Sequence, residues 1–163
     1  MNRVGIGYDV HRFAEGRLLV LGGVEIEHEK GLLGHSDADV LCHAIADAVL
    51  GAIGAPDIGH YFPPEDDRIE GISSLDILRK VATLVEGKRG WITNVDATVV
   101  AEVPKILPYA EQMKLRIGEA LGIDAARVGI KATTNEKMGF IGRSEGIAAM
   151  AVAGVEVSPD RAV

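Results

Sequence analysis

SDADVLCHAIADAVLGAIG, residues 36–54, is the stretch on which the fold turns. Val40, Leu41, Ala44, Ile45, Ala48, Val49, Ala52 and Ile53 recur at the three- and four-residue spacing of an apolar helical stripe. Ser36 is placed to cap the first turn, with Asp39 three residues on in capping-box register, and Gly54-Ala55-Pro56 stops the helix. Asp39, His43 and Asp47 follow at i, i+4 and i+8 and share the side opposite the stripe.

The flanking sequence supplies the strands. Upstream, residues 3–11 alternate, with Val4, Ile6, Tyr8 and Val10 on one face and Gly5, Gly7, Asp9 and His11 on the other. Leu18–Leu21 and Val24–Ile26 flank Gly22-Gly23, a hairpin signal. Downstream, residues 55–72 are proline, glycine and acid without periodicity and read as loop. Ser73 caps a helix running to Glu86 and closed by Gly87, and Trp91–Val103 is a strand with Val95, Ala97, Val99 and Ala101 on one face. Lys105–Leu121 is a third helix closed by Gly122, and Val128–Thr133 and Ile147–Val157 are strands joined by a polar, glycine-rich segment, 133–146. The pattern is α+β: one mixed β-sheet covered on one face by helices, in a single domain over residues 1–157 with a short frayed tail, 158–163.

A length of 163 residues suits one core. Only 4% of the residues are aromatic, so the core is small and aliphatic and leaves room for oligomerisation to complete its stability. A net charge of −7 argues against a nucleic-acid partner and requires any anionic ligand to be held locally. The single cysteine, Cys42, excludes an intrachain disulfide and fits a reducing compartment. The opening MNRVGIGYDV reads as a strand rather than a signal peptide. No apolar run reaches the roughly 18 residues of a membrane span. A cytoplasmic protein with no membrane partner is expected.

Five constellations carry chemistry. Asp9 and His11 project to the same side of a strand, two-thirds of a metal site of the type that suits zinc; alone, the pair also fits an aspartate orienting a surface histidine. Adding His43 from the helix face completes three ligands and leaves one position open for substrate, with Asp47 as the acceptor for the far nitrogen of His43; alone, that face also fits a solvated polar side. His35 and Ser36 stand at an expected helix start, where free N–H groups attract anions. Thr133-Thr134-Asn135-Glu136-Lys137-Met138-Gly139-Phe140, with Arg143 beyond, offers hydroxyls, amides and a cation to phosphate and a carboxylate to a hard cation; a polar surface hairpin is the alternative. In Ala101-Glu102-Val103-Pro104-Lys105-Ile106-Leu107-Pro108 two prolines preset the backbone groups that could read a flat base, or simply turn a strand into a helix.

GYDVHRF (7–13), KGLLGHSDADVLCHAI (30–45), DIGHYFP (57–63), VDATVVAEVPKILP (95–108) and ATTNEKMGFIGRSEGIA (132–148) together resemble the 2-C-methyl-D-erythritol 2,4-cyclodiphosphate synthase family of the non-mevalonate isoprenoid pathway. The likeness runs from about Val4 to Val155. It implies a homotrimeric phosphorus–oxygen lyase with sites between subunits, converting 4-diphosphocytidyl-2-C-methyl-D-erythritol 2-phosphate into the cyclodiphosphate and CMP. It implies Zn2+ on Asp9, His11 and His43, a second ion (Mg2+ or Mn2+) at Glu136, and transition-state stabilisation by His35 and Thr134. Substrate contacts would come from Asp9, His11, His35, Ser36, Asp57, Ile58, Gly59, Phe62, Pro63, Ala101, Pro104, Lys105, Ile106, Leu107, Ala132, Thr133, Thr134, Asn135, Glu136, Phe140 and Arg143. Pro64, Glu65, Cys42 and Lys88-Arg89-Gly90-Trp91 depart from the family's usual residues. Two other readings of the same residues are a zinc phosphohydrolase and a non-catalytic trimeric module that binds metal and isoprenoid phosphates.

Overall fold

A computed structural model describes residues 1–63 and 65–158. Pro64 and the tail after Ser158, both named above, lie outside the described residues. The strands are β1 (Asn2–Ala14), β2 (Leu19–Leu21), β3 (Val24–Ile26), β4 (Gly31–Leu32), β5 (Gly90–Val100), β6 (Val128–Thr133) and β7 (Gly146–Val157). The helices are α1 (Val40–Ala52), α2 (Ile58–Tyr61), α3 (Ser74–Gly87), α4 (Ala110–Leu121) and α5 (Gly139–Gly142). Five strands form one sheet in the order β4-β1-β7-β5-β6, parallel between β5 and β6 and antiparallel elsewhere. β2 and β3 form a separate hairpin through Gly22-Gly23, both at positive φ, as a tight turn of two glycines requires. The mixed sheet with helices on one face is the architecture expected.

Helix α1 lies against the glycine side of β1. A Cβ on Gly7 would stand 1.9 Å from the carbonyl oxygen of Ala44, and one on Gly5 would stand 2.0 Å from that of Ala48. Strand and helix therefore meet backbone to backbone, with alanine opposite glycine. Every residue of α1 is buried except Asp47 and Gly51, so the expected polar face of this helix is not solvated. The opposite side of β1 carries the large side chains outward: Val4 is 72% exposed and Ile6 74%. Ile6 pairs with Val152 and Tyr8 with Met150, which makes one apolar patch across β1 and β7. Val95, Ala97 and Val99, on the other side of β5's alternation, are buried.

Where the larger shifts from the expected boundaries occur, the reason is local. Helix α1 starts at Val40 with Asp39, not Ser36, as its cap, because Ala38 has φ +57° and breaks any helix begun earlier. Asp39 is fully buried; its carboxylate accepts from the Cys42 N–H of α1 and from the Gly22 and Gly23 N–H groups, tying the hairpin turn to the helix. Burial, with Asp37 nearby, pushes its carboxyl above the usual range. Helix α4 starts at Ala110 rather than Lys105, because Pro108 lacks an N–H and disfavours helical backbone at Leu107; a 3-10 turn, Leu107–Tyr109, stands there instead. β5 ends at Val100, short of Val103, and the Val103–Pro104 peptide is cis. The loop 55–72 holds the short helix α2 and a 3-10 turn, Asp67–Ile69.

Candidate functional site

Past Gly5 and Gly7, the same side of β1 presents Asp9 and His11, and the first turn of α1 presents His43 beside them. The Asp9 Oδ2 oxygen is 3.0 Å from His11 Nε2 and 3.0 Å from His43 Nδ1, and the two nitrogens are 3.2 Å apart. Zinc bonds of about 2.0–2.1 Å set tetrahedral edges of about 3.3 Å, so three donors at this spacing fit one tetrahedral ion. Among the described residues these three form the one such group.

Proton placement argues for a cation as strongly as distance does. His11 Nδ1 lies 2.5 Å from the Leu33 carbonyl, which can only accept, so Nδ1 carries the proton and Nε2 presents its lone pair. His43 Nε2 lies 2.9 Å from Ser74 Oγ and 3.1 Å from Ser36 Oγ. The Ser74 hydroxyl donates to Asp37 Oδ1 at 2.5 Å, so its oxygen accepts the Nε2 proton of His43. In the neutral rings two nitrogen lone pairs and a carboxylate then converge on one point, which favours a positive charge there. Burial would raise the Asp9 carboxyl, but with the two rings protonated, hydrogen bonds and charge from His11 and His43 hold it well below the usual range. Burial would lower the His11 imidazole, but the Asp9 carboxylate raises it above the ordinary value. Proton and metal ion thus compete for the same place.

Two of the expected roles are corrected. Asp47 does not accept from His43; its carboxylate accepts from the Ile58 N–H at 2.9 Å and ties α1 to the segment beginning at Asp57. Burial raises the Asp47 carboxyl, and the Ile58 bond opposes that. His35 and Ser36 do not stand at a helix N-terminus, since α1 begins four residues beyond Ser36. Ser36 Oγ accepts from the Ala38 N–H, and Arg17 Nη2 donates to the Ser36 carbonyl.

The remaining expected site residues fall into two hollows. One, of about 300 Å³, is lined by the metal trio with His35, Ser36, Ile58, Gly59 and Phe62. The other, of about 220 Å³, is lined by Ala101, Pro104, Lys105, Ile106, Leu107, Ala132, Thr133 and Thr134, with Glu102 and Pro108. They share no lining residue. Asp57, Pro63, Asn135, Glu136, Phe140 and Arg143 line neither. Asp57 caps α2 through the His60 N–H, and Arg143 Nε donates to Glu145 at 2.7 Å. Glu136 is exposed, with φ +50°, and its carboxylate accepts a long bond of 3.5 Å from the Thr134 hydroxyl. One Glu102 oxygen accepts from the Asn135 and Lys137 N–H groups and ties the segment after β5 to the segment after β6. Sequence reading missed Asp37, Ser74 and Arg17, and it gave the Glu102 side chain no role. The Ser73-Ser74 doublet was the available signal, since a cap needs only one serine.

Comparison with known proteins places the chain in a family. Residues 2–156 match the YgbB family. The chain is 60% identical over 157 residues to the 2-C-methyl-D-erythritol 2,4-cyclodiphosphate synthase of Akkermansia muciniphila, covering 96% of this chain and 93% of that one. It is 58% identical over 153 residues to the synthase of Alkaliphilus metalliredigens, covering 94% and 96%. Among solved structures, the CDP complex of IspF from Plasmodium falciparum superposes with a TM-score of 0.84 at 36% identity, over 97% of both chains. The bifunctional IspDF of Campylobacter jejuni superposes with a TM-score of 0.91 at 38% identity, over 97% of this chain but 43% of that longer one. The chain therefore belongs to the YgbB family, that of the 2-C-methyl-D-erythritol 2,4-cyclodiphosphate synthases.

Proposed function

We propose that this protein converts 4-diphosphocytidyl-2-C-methyl-D-erythritol 2-phosphate into 2-C-methyl-D-erythritol 2,4-cyclodiphosphate and CMP, as a cyclising phosphorus–oxygen lyase of isoprenoid precursor synthesis. The observation that carries the reading is the convergence of Asp9, His11 and His43 at tetrahedral spacing, with His35 and Ser36 in the same hollow. In the reaction, an oxygen of the 2-phosphate bonds to the β-phosphorus of the CDP group; the β-phosphorus–oxygen bond to the α-phosphate breaks, and CMP leaves. The substrate brings its own nucleophile, so the side chains position and neutralise rather than bond covalently. Asp9, His11 and His43 would hold zinc, and Glu136 a magnesium or manganese ion. When bound, these ions would draw anionic oxygens together and offset the charge on the leaving phosphate.

The chain's own residues do the rest. His35 offers its imidazole to the hollow of the trio, which Ser36 also lines. Asp57 to Pro63 forms a cover that keeps water from the folded erythritol portion. The hydroxyls of Thr133 and Thr134 suit phosphate oxygens, and the backbone from Ala101 to Leu107 suits a cytosine ring. The setting proposed is the cytoplasm, which the free, buried thiol of Cys42 fits; among the described residues no helix is long and apolar enough to cross a membrane.

Purified protein with the diphosphocytidyl substrate, zinc and magnesium should produce CMP and a cyclic diphosphate in the phosphorus NMR spectrum. An opened monophosphate would favour the phosphohydrolase instead, and a metal-loaded protein with no turnover would favour the non-catalytic module. In the same assay Glu136→Gln should weaken the response to added magnesium while leaving zinc content at the wild-type level.

The separation of the two hollows and the uncovered patch of Val4, Ile6, Tyr8, Val10, Met150 and Val152 support a homotrimer packed through its sheets, with each active site shared by neighbours. Mixing His11→Ala subunits with Lys105→Glu subunits should then restore part of the turnover, since some interfaces join two intact halves. Mixed trimers confirmed by mass spectrometry yet lacking turnover, or an active monomer in sedimentation, would count against shared sites.

A further inference from the structure

Ser74 is the first residue of α3, fully buried, and 31 positions along the chain from His43. A second bond, from the Ser74 N–H to Asp37 Oδ2 at 3.0 Å, joins the hydroxyl's bond to Asp37 Oδ1. Asp37 therefore grips the serine twice and leaves its hydroxyl no freedom to turn. We propose that Ser74, oriented by Asp37, is a positioning residue that keeps the proton of His43 on Nε2 and so directs the Nδ1 lone pair to the metal.

The argument is one of polarity. An ionised carboxylate accepts only, so the Ser74 hydroxyl must donate to Asp37. Its oxygen then meets His43 as an acceptor, and only a protonated Nε2 satisfies it. Ser36 Oγ, 3.1 Å from the same nitrogen, is the weaker partner because its position is set by a loop rather than by a doubly held carboxylate. With an amide at position 37 the chain of donors can reverse. The amide N–H group donates to Ser74 Oγ, the serine donates to Nε2, and the ring proton moves to Nδ1, where a metal ion must displace it. Orienting bonds of this kind are worth about tenfold to a hundredfold in metal affinity.

The inference rests on the reading of Asp9, His11 and His43 as a zinc site, and the test separates the two. Zinc affinity is measured by chelator competition on wild type, Ser74→Ala, Asp37→Asn and Ser73→Ala. Ser73→Ala is the structural control: it removes the α3 cap, whose Oγ accepts from the Leu75 N–H at 3.3 Å, without touching His43. Ser74→Ala and Asp37→Asn should bind zinc about tenfold to a hundredfold more weakly, and Ser73→Ala should match wild type. Nitrogen-15 NMR of metal-free protein at about pH 9, above the ordinary imidazole range, should show the His43 proton on Nε2 in wild type and on Nδ1 in Asp37→Asn. Wild-type affinity in Ser74→Ala and Asp37→Asn, or an equal loss in Ser73→Ala, overturns the positioning role and leaves the zinc site standing. A wild type that binds no zinc overturns both. If Ser74→Ala does not fold, the Asp37→Asn affinity and the wild-type proton position decide the question.

Discussion

His43→Ala is expected to release the metal and lower turnover about a thousandfold while the chain still folds. Stabilisation of phosphoryl oxygens by a bound ion is worth several kcal/mol, and about 4 kcal/mol corresponds to about a thousandfold in rate. The fold should survive because Gly5, Gly7, Ala44 and Ala48 hold the strand against the helix, and the imidazole does not. The variant will nonetheless be less stable than wild type. His43 is only 7% exposed, so deleting its ring opens a cavity and removes the donor to Ser74, at a cost of about 1–3 kcal/mol. Metal content per chain after gel filtration, with a thermal melt of the same sample, checks both parts. One full equivalent of zinc in the variant would remove His43 from the centre.

Gly7→Val should leave no folded protein. The nearest atoms to a Cβ at this position are backbone: the Ala44 carbonyl oxygen at 1.9 Å and the Ala48 nitrogen at 2.8 Å. Real Cβ atoms do not approach so closely, and α1 cannot retreat without losing its packing on β1 and β7. A domain of this size holds about 5–15 kcal/mol in total, and overpacking against backbone belongs to the exceptional class above about 4 kcal/mol. Gly51→Ala on the same helix is the contrasting variant. Its Cβ would find its nearest neighbour, Gly5 Cα, at 3.8 Å, an ordinary contact. It should raise stability by about 0.5–1 kcal/mol, the usual gain when alanine replaces a helical glycine. Urea midpoints of the two proteins provide the comparison. A Gly7→Val protein with the wild-type midpoint would disprove the backbone contact between strand and helix.

The sequence by itself determined the elements whose signals are local. Strand alternation in β1, the Gly22-Gly23 hairpin, the Ser73 cap of α3 and the limits of β6 all depend on neighbours a few residues apart, and all stand where the pattern put them. The same locality placed Asp9 and His11 on one side of β1, because i and i+2 share a face in any strand. Only the tertiary structure decided which face that was. Hydrophobicity alone would turn Val4, Ile6 and Tyr8 inward, yet they point out, and the glycines point in because α1 approaches too closely for any side chain. The start of α1 was equally hidden, since the left-handed Ala38 that breaks the helix carries no residue-type signal. The partner of His43 was hidden for a different reason. Asp47 was the neighbour in the helical repeat, but Ser74, held by Asp37 from 37 positions away, reaches the imidazole only after α3 has packed against α1. Contacts over such distances leave no periodicity in the chain, because they depend on where whole elements come to rest rather than on the spacing of residues within one.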